Sequence, residues 1–252
     1  MSEHAHELEW ETSPWPLIVC VGILLFAPLA FSFHFVYQKP AATIVCLALG
    51  GGLILISVIG WVKDGLEDKH GWGQGLSFPA MPFFILAEAL IFLALFASYW
   101  VIRLGSPSWP PAGTPHISLV TPIIMTVILV SSSVTIHLAE MRHEADDNAG
   151  FLTWLIITII LGCIFFGITI NEWTHLIHEG FDTTTNAYST IFYSITGLHA
   201  SHVLIGVLIF VCILIPALVR KTNHTFIKTA SLYWHFVDIV WFFVASQVYF
   251  WT

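Results

Sequence analysis

Charge is scarce in this sequence. Of its 252 residues only 10% are Asp, Glu, Lys or Arg, and lysine and arginine together number 8. A water-soluble domain carries about 25% charged residues, so an ordinary water-facing surface is excluded. The net charge of −8 also excludes a nucleic-acid-binding face, which needs clustered Lys and Arg. Cysteine is sparse. Cys20, Cys46, Cys163 and Cys212 include no CxxC pair and all fall in apolar runs. There they read as small packing residues rather than metal ligands or disulfides. No HExxH occurs. No internal repeat suggests a transporter built of two matching halves. No lysine stands inside an apolar run, which removes a retinal protein, since that needs a Schiff-base lysine.

What is present is hydrocarbon. Hydrophobic residues make up 57% of the chain, and the runs are continuous rather than alternating, which disfavours a strand barrel. Seven runs approach the roughly 20 residues that a membrane-spanning helix needs. They are Leu17–Tyr37, Thr43–Val62, Phe78–Ile102, Leu119–Leu138, Phe151–Ile170, Tyr188–Val219 and Ala230–Trp251. The expectation is an all-α polytopic membrane protein, a single membrane domain over residues 1–252 with seven spans and short connections. Ser106–His116 reads as a stiff Pro-rich loop. NEWTHLIHEGFDTTTN reads as a second outer loop, either solvated or holding a surface divalent ion.

Cations set the orientation. With the N-terminus inside, the inner loops hold Lys63, Lys69, Arg142, Arg220, Lys221 and Lys228, against Lys39 and Arg103 outside. N-terminus in, C-terminus out is expected. The tail MSEHAHELEWETSPWP has glutamates and no Lys or Arg, unlike a signal or transit peptide. The first span is expected to be retained.

The residues that a bilayer should reject carry the functional information. Glu88 stands about ten residues into the third span, roughly 15 Å deep at 1.5 Å per residue. It is either a proton-linked, inhibitor-sensitive carboxyl or a carboxyl bonded to a neighbouring helix. His199 and His202 share one helix face at i, i+3. Two histidines could begin a metal site, yet a zinc site needs a third ligand, and a bis-His haem takes its ligands from different helices. His235 and Asp238 are also i, i+3, and could touch each other or fix the helix register against a neighbour. His34, His137 and Glu172 lie nearer the span ends.

Taken together these segments resemble cytochrome c oxidase subunit III of the haem–copper oxidases. YWHFVDIVWFF is similar to that family's final helix, AEALIFLALFASYW to its third helix with a buried Glu, and FYSITGLHASHVLIG to its sixth with paired histidines. SPWPL, FHF, WVKDG, WPPAGTPH and NEWTHL fall in the family's order along the whole chain. The resemblance implies a two-helix hairpin, about residues 15–62, splayed from a five-helix bundle, about 78–252. It implies a non-catalytic core subunit of an aa3-type cytochrome c oxidase, with no metal or catalytic residue of its own. Haem and copper belong to partner subunits. The implied partners are oxidase subunits I and II, phospholipid and a respiratory supercomplex. The implied roles are support of subunit I, of proton uptake and of structural phospholipid in a cleft, for which Trp61, His34 and Trp100 are lining candidates. Glu88 matches the family's helix-three carboxyl, with His202 ahead of His199 as its expected partner. A quinol oxidase or nitric oxide reductase subunit is the alternative, and a stand-alone proton-linked transporter a more distant one. The expected location is a bacterial cytoplasmic membrane, ahead of a mitochondrial inner membrane.

Overall fold

The computed structural model describes residues 14–66 and 77–251. The acidic tail, Lys69 and most of the connection after the second span lie outside the described residues. Among the described residues every regular element is a helix, and they form two compact units, one within residues 1–74 and one within 75–252.

The first unit is a helical hairpin. Helix α1, Trp15–Leu24, continues through two π-helical turns, Leu25–Leu29 and Ser32–Val36. Pro28 sits in the first turn. It has no N–H for the carbonyl one turn back and its ring crowds that carbonyl, so the helix widens there. Gln38 takes a φ of 50° and reverses the chain. Pro40 then opens α2, Pro40–Leu66, with its φ already set for a first helical position. The two helices meet where they lack side chains. A Cβ on Gly50 would stand 2.6 Å from the Phe26 backbone nitrogen and 2.7 Å from the Gly22 carbonyl oxygen.

The second unit packs five helices: α3 Ser77–Gly105, α4 Val120–Glu144, α5 Asn148–His178, α6 Ala187–Leu218 and α7 His224–Val244, which runs on through a π-helical segment, Ala245–Phe250. Local signals start and stop them. Asp147 caps α5 by accepting from the Gly150 amide at 3.0 Å. Asn186 and Ser189 form a capping box at α6, and Asn223 accepts from the Thr225 and Phe226 amides at α7. Gly180, at φ 83°, ends α5, and the Phe181 amide returns to the Leu176 carbonyl at 2.9 Å with the Phe181 ring buried. Residues 106–119 contain no helix, as four prolines in that loop dictate.

Both faces of these helices are apolar, so hydrophobic contrast does not select the inner one. On α4, Met125, Leu129 and Ile136 are buried, whereas Ile123, Val127 and Val134 are exposed. Small residues and hydrogen bonds select it instead. Trp234 of α7 lies flat over Gly206, where a Cβ would come within 2.6 Å of two ring atoms, and its Nε1 donates to Ser132 Oγ at 2.9 Å.

Among the described residues six helices are long and apolar enough to cross a membrane: Trp15–His34, Pro40–Trp61, Met81–Gly105, Val120–Glu144, Asn148–His178 and Ala187–Leu218. The expected seventh span is not among them, because Lys228, His235 and Asp238 dilute the apolar run of α7. The last helix also starts at His224 rather than near Ala230. A larger correction concerns NEWTHLIHE, expected to be loop. α5 extends through His178, so Asn171–His178 is helical and Glu172 is buried. The continuous apolar run ends at Ile170, but the hydrogen-bonded ladder continues until Gly180 breaks it.

Candidate functional site

One polar contact joins α3 to α6. His202 Nε2 lies 3.1 Å from Glu88 Oε2, with the side chains 8% and 20% exposed. The other ring nitrogen, Nδ1, is 2.8 Å from the Leu198 carbonyl oxygen. A carbonyl only accepts, so Nδ1 carries the hydrogen. A neutral His202 therefore has a bare lone pair at Nε2, and a hydrogen bond to Glu88 requires a further proton. That proton sits either on the carboxyl, donating to Nε2, or on the ring, donating to the carboxylate. The pair is built to hold one shared proton. Tyr233 fixes the backbone beneath it by donating to the His202 carbonyl at 3.2 Å, and Phe92, Tyr233 and Phe236 surround the imidazole.

The two adjacent histidines of α6 are thus separated in role. His199 is wholly buried, and neither ring nitrogen has a hydrogen-bond partner. Its neighbours are rings: Phe165 of α5 with centroids 5.7 Å apart, and Trp241 of α7 at 5.2 Å. Trp241 is held by donation to Thr126 Oγ1 at 2.9 Å. Among the described residues no group of three or more His, Cys, Asp and Glu is placed to hold a metal ion.

His235 and Asp238 face α4. His235 Nδ1 is 2.7 Å from Ser133 Oγ and 3.9 Å from Asp238 Oδ2, and Nε2 is 3.4 Å from Ser231 Oγ. Both Asp238 oxygens are buried without a hydrogen-bond partner. The sequence reading missed Ser133, although the run Ser131–Ser132–Ser133 inside an apolar helix was a usable signal. Ser131 bonds back to its own helix at Val127, Ser132 receives Trp234, and Ser133 reaches His235.

A third cluster clamps the C-terminal end of the last helix, whose final carbonyls have no partner within the helix. Tyr99 donates to the Gln247 carbonyl at 2.6 Å and Tyr188 to the Val248 carbonyl at 2.7 Å. Tyr249 donates to Glu172 Oε2 at 2.7 Å. The Arg103 guanidinium lies 3.9 Å over the Trp251 ring, positive charge against the negative end of the helix dipole. Trp100 donates to Gln247 Oε1 at 2.9 Å and, with Leu104 and Trp251, walls an open groove. Of the other lipid candidates, His34 is exposed in the second π turn and Trp61 is half-buried near the end of α2. Outside the spans, Asp182 accepts from the Thr184 hydroxyl and amide, each at 2.7 Å, and these bonds hold its carboxyl below the usual value.

Comparison with known proteins matches the sequence to one family. The family model described as "Cytochrome c oxidase subunit III" matches residues 4–252. The chain is 39% identical over 170 residues to the cytochrome c oxidase subunit 3 of Synechocystis sp., covering 66% of this chain and 72% of that protein. It is 31% identical over 269 residues to that of Scyliorhinus canicula, covering 100% and 99%. It is 35% identical over 169 residues to a probable quinol oxidase subunit 3 of Staphylococcus saprophyticus, covering 66% and 84%.

Proposed function

The chain belongs to the cytochrome c oxidase subunit III family, and from that premise we propose that it sustains proton supply to an oxygen-reducing, proton-pumping complex without performing redox chemistry itself. It is one subunit of an oxidoreductase assembly, packed beside the metal-bearing subunits I and II. The observation that carries the proton role is the Glu88–His202 pair. The pair needs one shared proton, stands on two helices inside the membrane, and leaves part of the Glu88 side chain open.

The last helix is the seventh span. Its polar residues turn toward α4 and α6, which offsets its lower hydropathy. The N-terminus faces the cytoplasm. Lys63, Arg142, Arg220, Lys221 and Lys228 support this, because alternating spans bring all five to one side, against Lys39 and Arg103. Structural phospholipid covers the exposed apolar faces, with Trp61, His34 and Trp100 as contacts. A bacterial cytoplasmic membrane is supported by the 39% identity to the Synechocystis protein over two thirds of the chain, whereas the Scyliorhinus protein matches the whole chain at 31%. The Staphylococcus relative supports a second reading, in which quinol is the electron donor.

Affinity purification of the tagged chain tests the proposal. Haem absorption and two larger oxidase subunits should copurify, and oxidation of reduced cytochrome c rather than quinol should be the activity recovered. Glu88→Ala should leave the haem spectrum and electron input near normal while changing proton uptake or hastening inactivation during turnover. A chain recovered alone and active in transport refutes the proposal.

A further inference from the structure

Oxidisable rings form a file at one end of the five-helix unit, where α3, α6 and the last helix meet. Trp109, half-buried in the helix-free loop, is its surface end. The Trp109 ring centroid lies 5.7 Å from that of Tyr99 and 5.2 Å from that of Tyr188. Phe192 bridges Tyr188 to Tyr249 at 5.9 and 5.5 Å, and Tyr249 meets Trp241 at 6.1 Å. Tyr99, Tyr188, Tyr249 and Trp241 are all buried. Electrons pass readily between rings this close. Tyrosine and tryptophan rings give one up to a strong oxidant, whereas the Phe192 ring serves only as the medium between two of them.

One-electron oxidation of a phenol or an indole leaves a strongly acidic radical cation, so the hole rests where a base can take the proton. The buried rings differ in this. Tyr99 donates to the Gln247 carbonyl, Tyr188 to the Val248 carbonyl, and the Trp241 indole to the Thr126 hydroxyl. None of those oxygens is a base near neutral pH. Tyr249 alone among them donates to a carboxyl, Glu172 Oε2, at 2.7 Å, within the reach of direct proton transfer between side chains. A buried carboxyl is a costly acceptor if packing is its only task, since an amide oxygen accepts the same bond.

Charge tilts the file the same way. The Arg103 guanidinium lies 3.9 Å over the Trp251 ring and 5.8 Å over the Trp109 ring, and it donates to the Tyr99 hydroxyl at 3.1 Å. That fixed positive charge opposes a second one on any of these rings. At Tyr249 the departing proton neutralises the Glu172 carboxylate and leaves an uncharged phenoxyl. A hole formed at Trp109 therefore runs inward and stops at Tyr249.

We propose that Tyr249 and Glu172 form a redox-active pair, a sink for oxidising equivalents that enter this chain through Trp109. The oxidant is an oxygen-centred radical of the peroxyl class. It takes one electron from Trp109 and one proton from water, and leaves as the hydroperoxide. The Trp109 radical cation is refilled by Tyr249 by way of Phe192 and Tyr188, and the Tyr249 phenolic proton crosses to Glu172. The products are a hydroperoxide, a neutral tyrosyl radical and a protonated Glu172. An enediol reductant at Trp109 returns the electron along the same rings, and Glu172 returns the proton. The pair lies wholly within this chain and is independent of the Glu88–His202 proton role.

Flash oxidation of the detergent-solubilised full chain by a photogenerated ruthenium(III) polypyridyl complex, read by electron paramagnetic resonance, tests the pair. Wild type should trap a tyrosyl radical, identified by the narrowing of its spectrum when the chain is made with ring-deuterated tyrosine. Tyr249→Phe should lose most of that signal. Glu172→Gln keeps an acceptor for the Tyr249 hydroxyl but no base, and should also lose most of it while near-ultraviolet circular dichroism stays that of wild type. Trp109→Phe keeps a ring in place and should slow formation of the radical without moving it to another tyrosine. A purely packing cluster predicts the opposite. A Glu172→Gln yield equal to wild type overturns the proposal, as does a tyrosyl signal that survives Tyr249→Phe, or a wild-type chain that traps none. If Tyr249→Phe does not fold, Glu172→Gln and Trp109→Phe decide, and wild-type yield and rate in both overturn it.

Discussion

The shared proton between Glu88 and His202 makes a prediction that ordinary packing does not. Consider Glu88→Gln beside Glu88→Ala. Glutamine keeps the shape and supplies an N–H that donates to Nε2, because the Leu198 carbonyl has already claimed the hydrogen at Nδ1. Alanine leaves Nε2 bare and opens a void. A neutral hydrogen bond contributes about 1 kcal/mol, one to a charged group about 1.5–3, and an unsatisfied buried group costs about 1–3. With Glu88 one-fifth exposed, the lower ends of these ranges apply. Glu88→Gln should lose about 1 kcal/mol and Glu88→Ala about 2 or more, by thermal or denaturant unfolding of the detergent-solubilised chain. Nitrogen-15 NMR of histidine-labelled protein checks the cause directly. His202 should show Nδ1 protonated in wild type and in both variants, and a protonated Nε2 fraction only in wild type. Finding Nδ1 without its hydrogen in the wild-type protein would refute the reasoning, as would equal destabilisation by Gln and Ala.

Two further substitutions test the packing. Gly206→Ala should destabilise the five-helix unit by roughly 1–3 kcal/mol, the usual cost of overpacking, because its methyl meets the Trp234 ring. Near-ultraviolet circular dichroism should report the displaced indole. Tyr249→Phe should cost about 1–3 kcal/mol by leaving Glu172 buried without its donor. Glu172→Gln should cost less, since the amide oxygen still accepts from Tyr249, and comparison of the melting midpoints checks that order.

What could be read from the residue string was the solvent and the list of misfits. Continuous apolar runs and few charges indicate a helical membrane chain. Glu88, His202, His235 and Asp238 stand out because hydrocarbon penalises them wherever they lie on a helix. The break at Pro28 and the caps at Asn186 and Asn223 were not read from the string, because the spans were bounded by hydropathy, whereas such signals act within a turn of backbone. The sequence matched its family by the order of several such segments, which survives divergence better than any single one.

Partnership was decided only in three dimensions. Two histidines three residues apart look alike in a string. Yet His202 reaches across to Glu88 of α3, while His199 turns between Phe165 and Trp241. At i, i+3 their directions differ by about 60° around the helix, and different helices stand on the two sides. The end of α5 escaped the sequence for a related reason. Hydropathy stops at Ile170, but a helix ends where its hydrogen bonds end. Only the approach of Tyr249 explains why Glu172 can stay buried beyond the apolar run. Local chemistry and hydropathy are properties of the chain, whereas the pairing of polar groups is a property of neighbours that tertiary packing alone supplies.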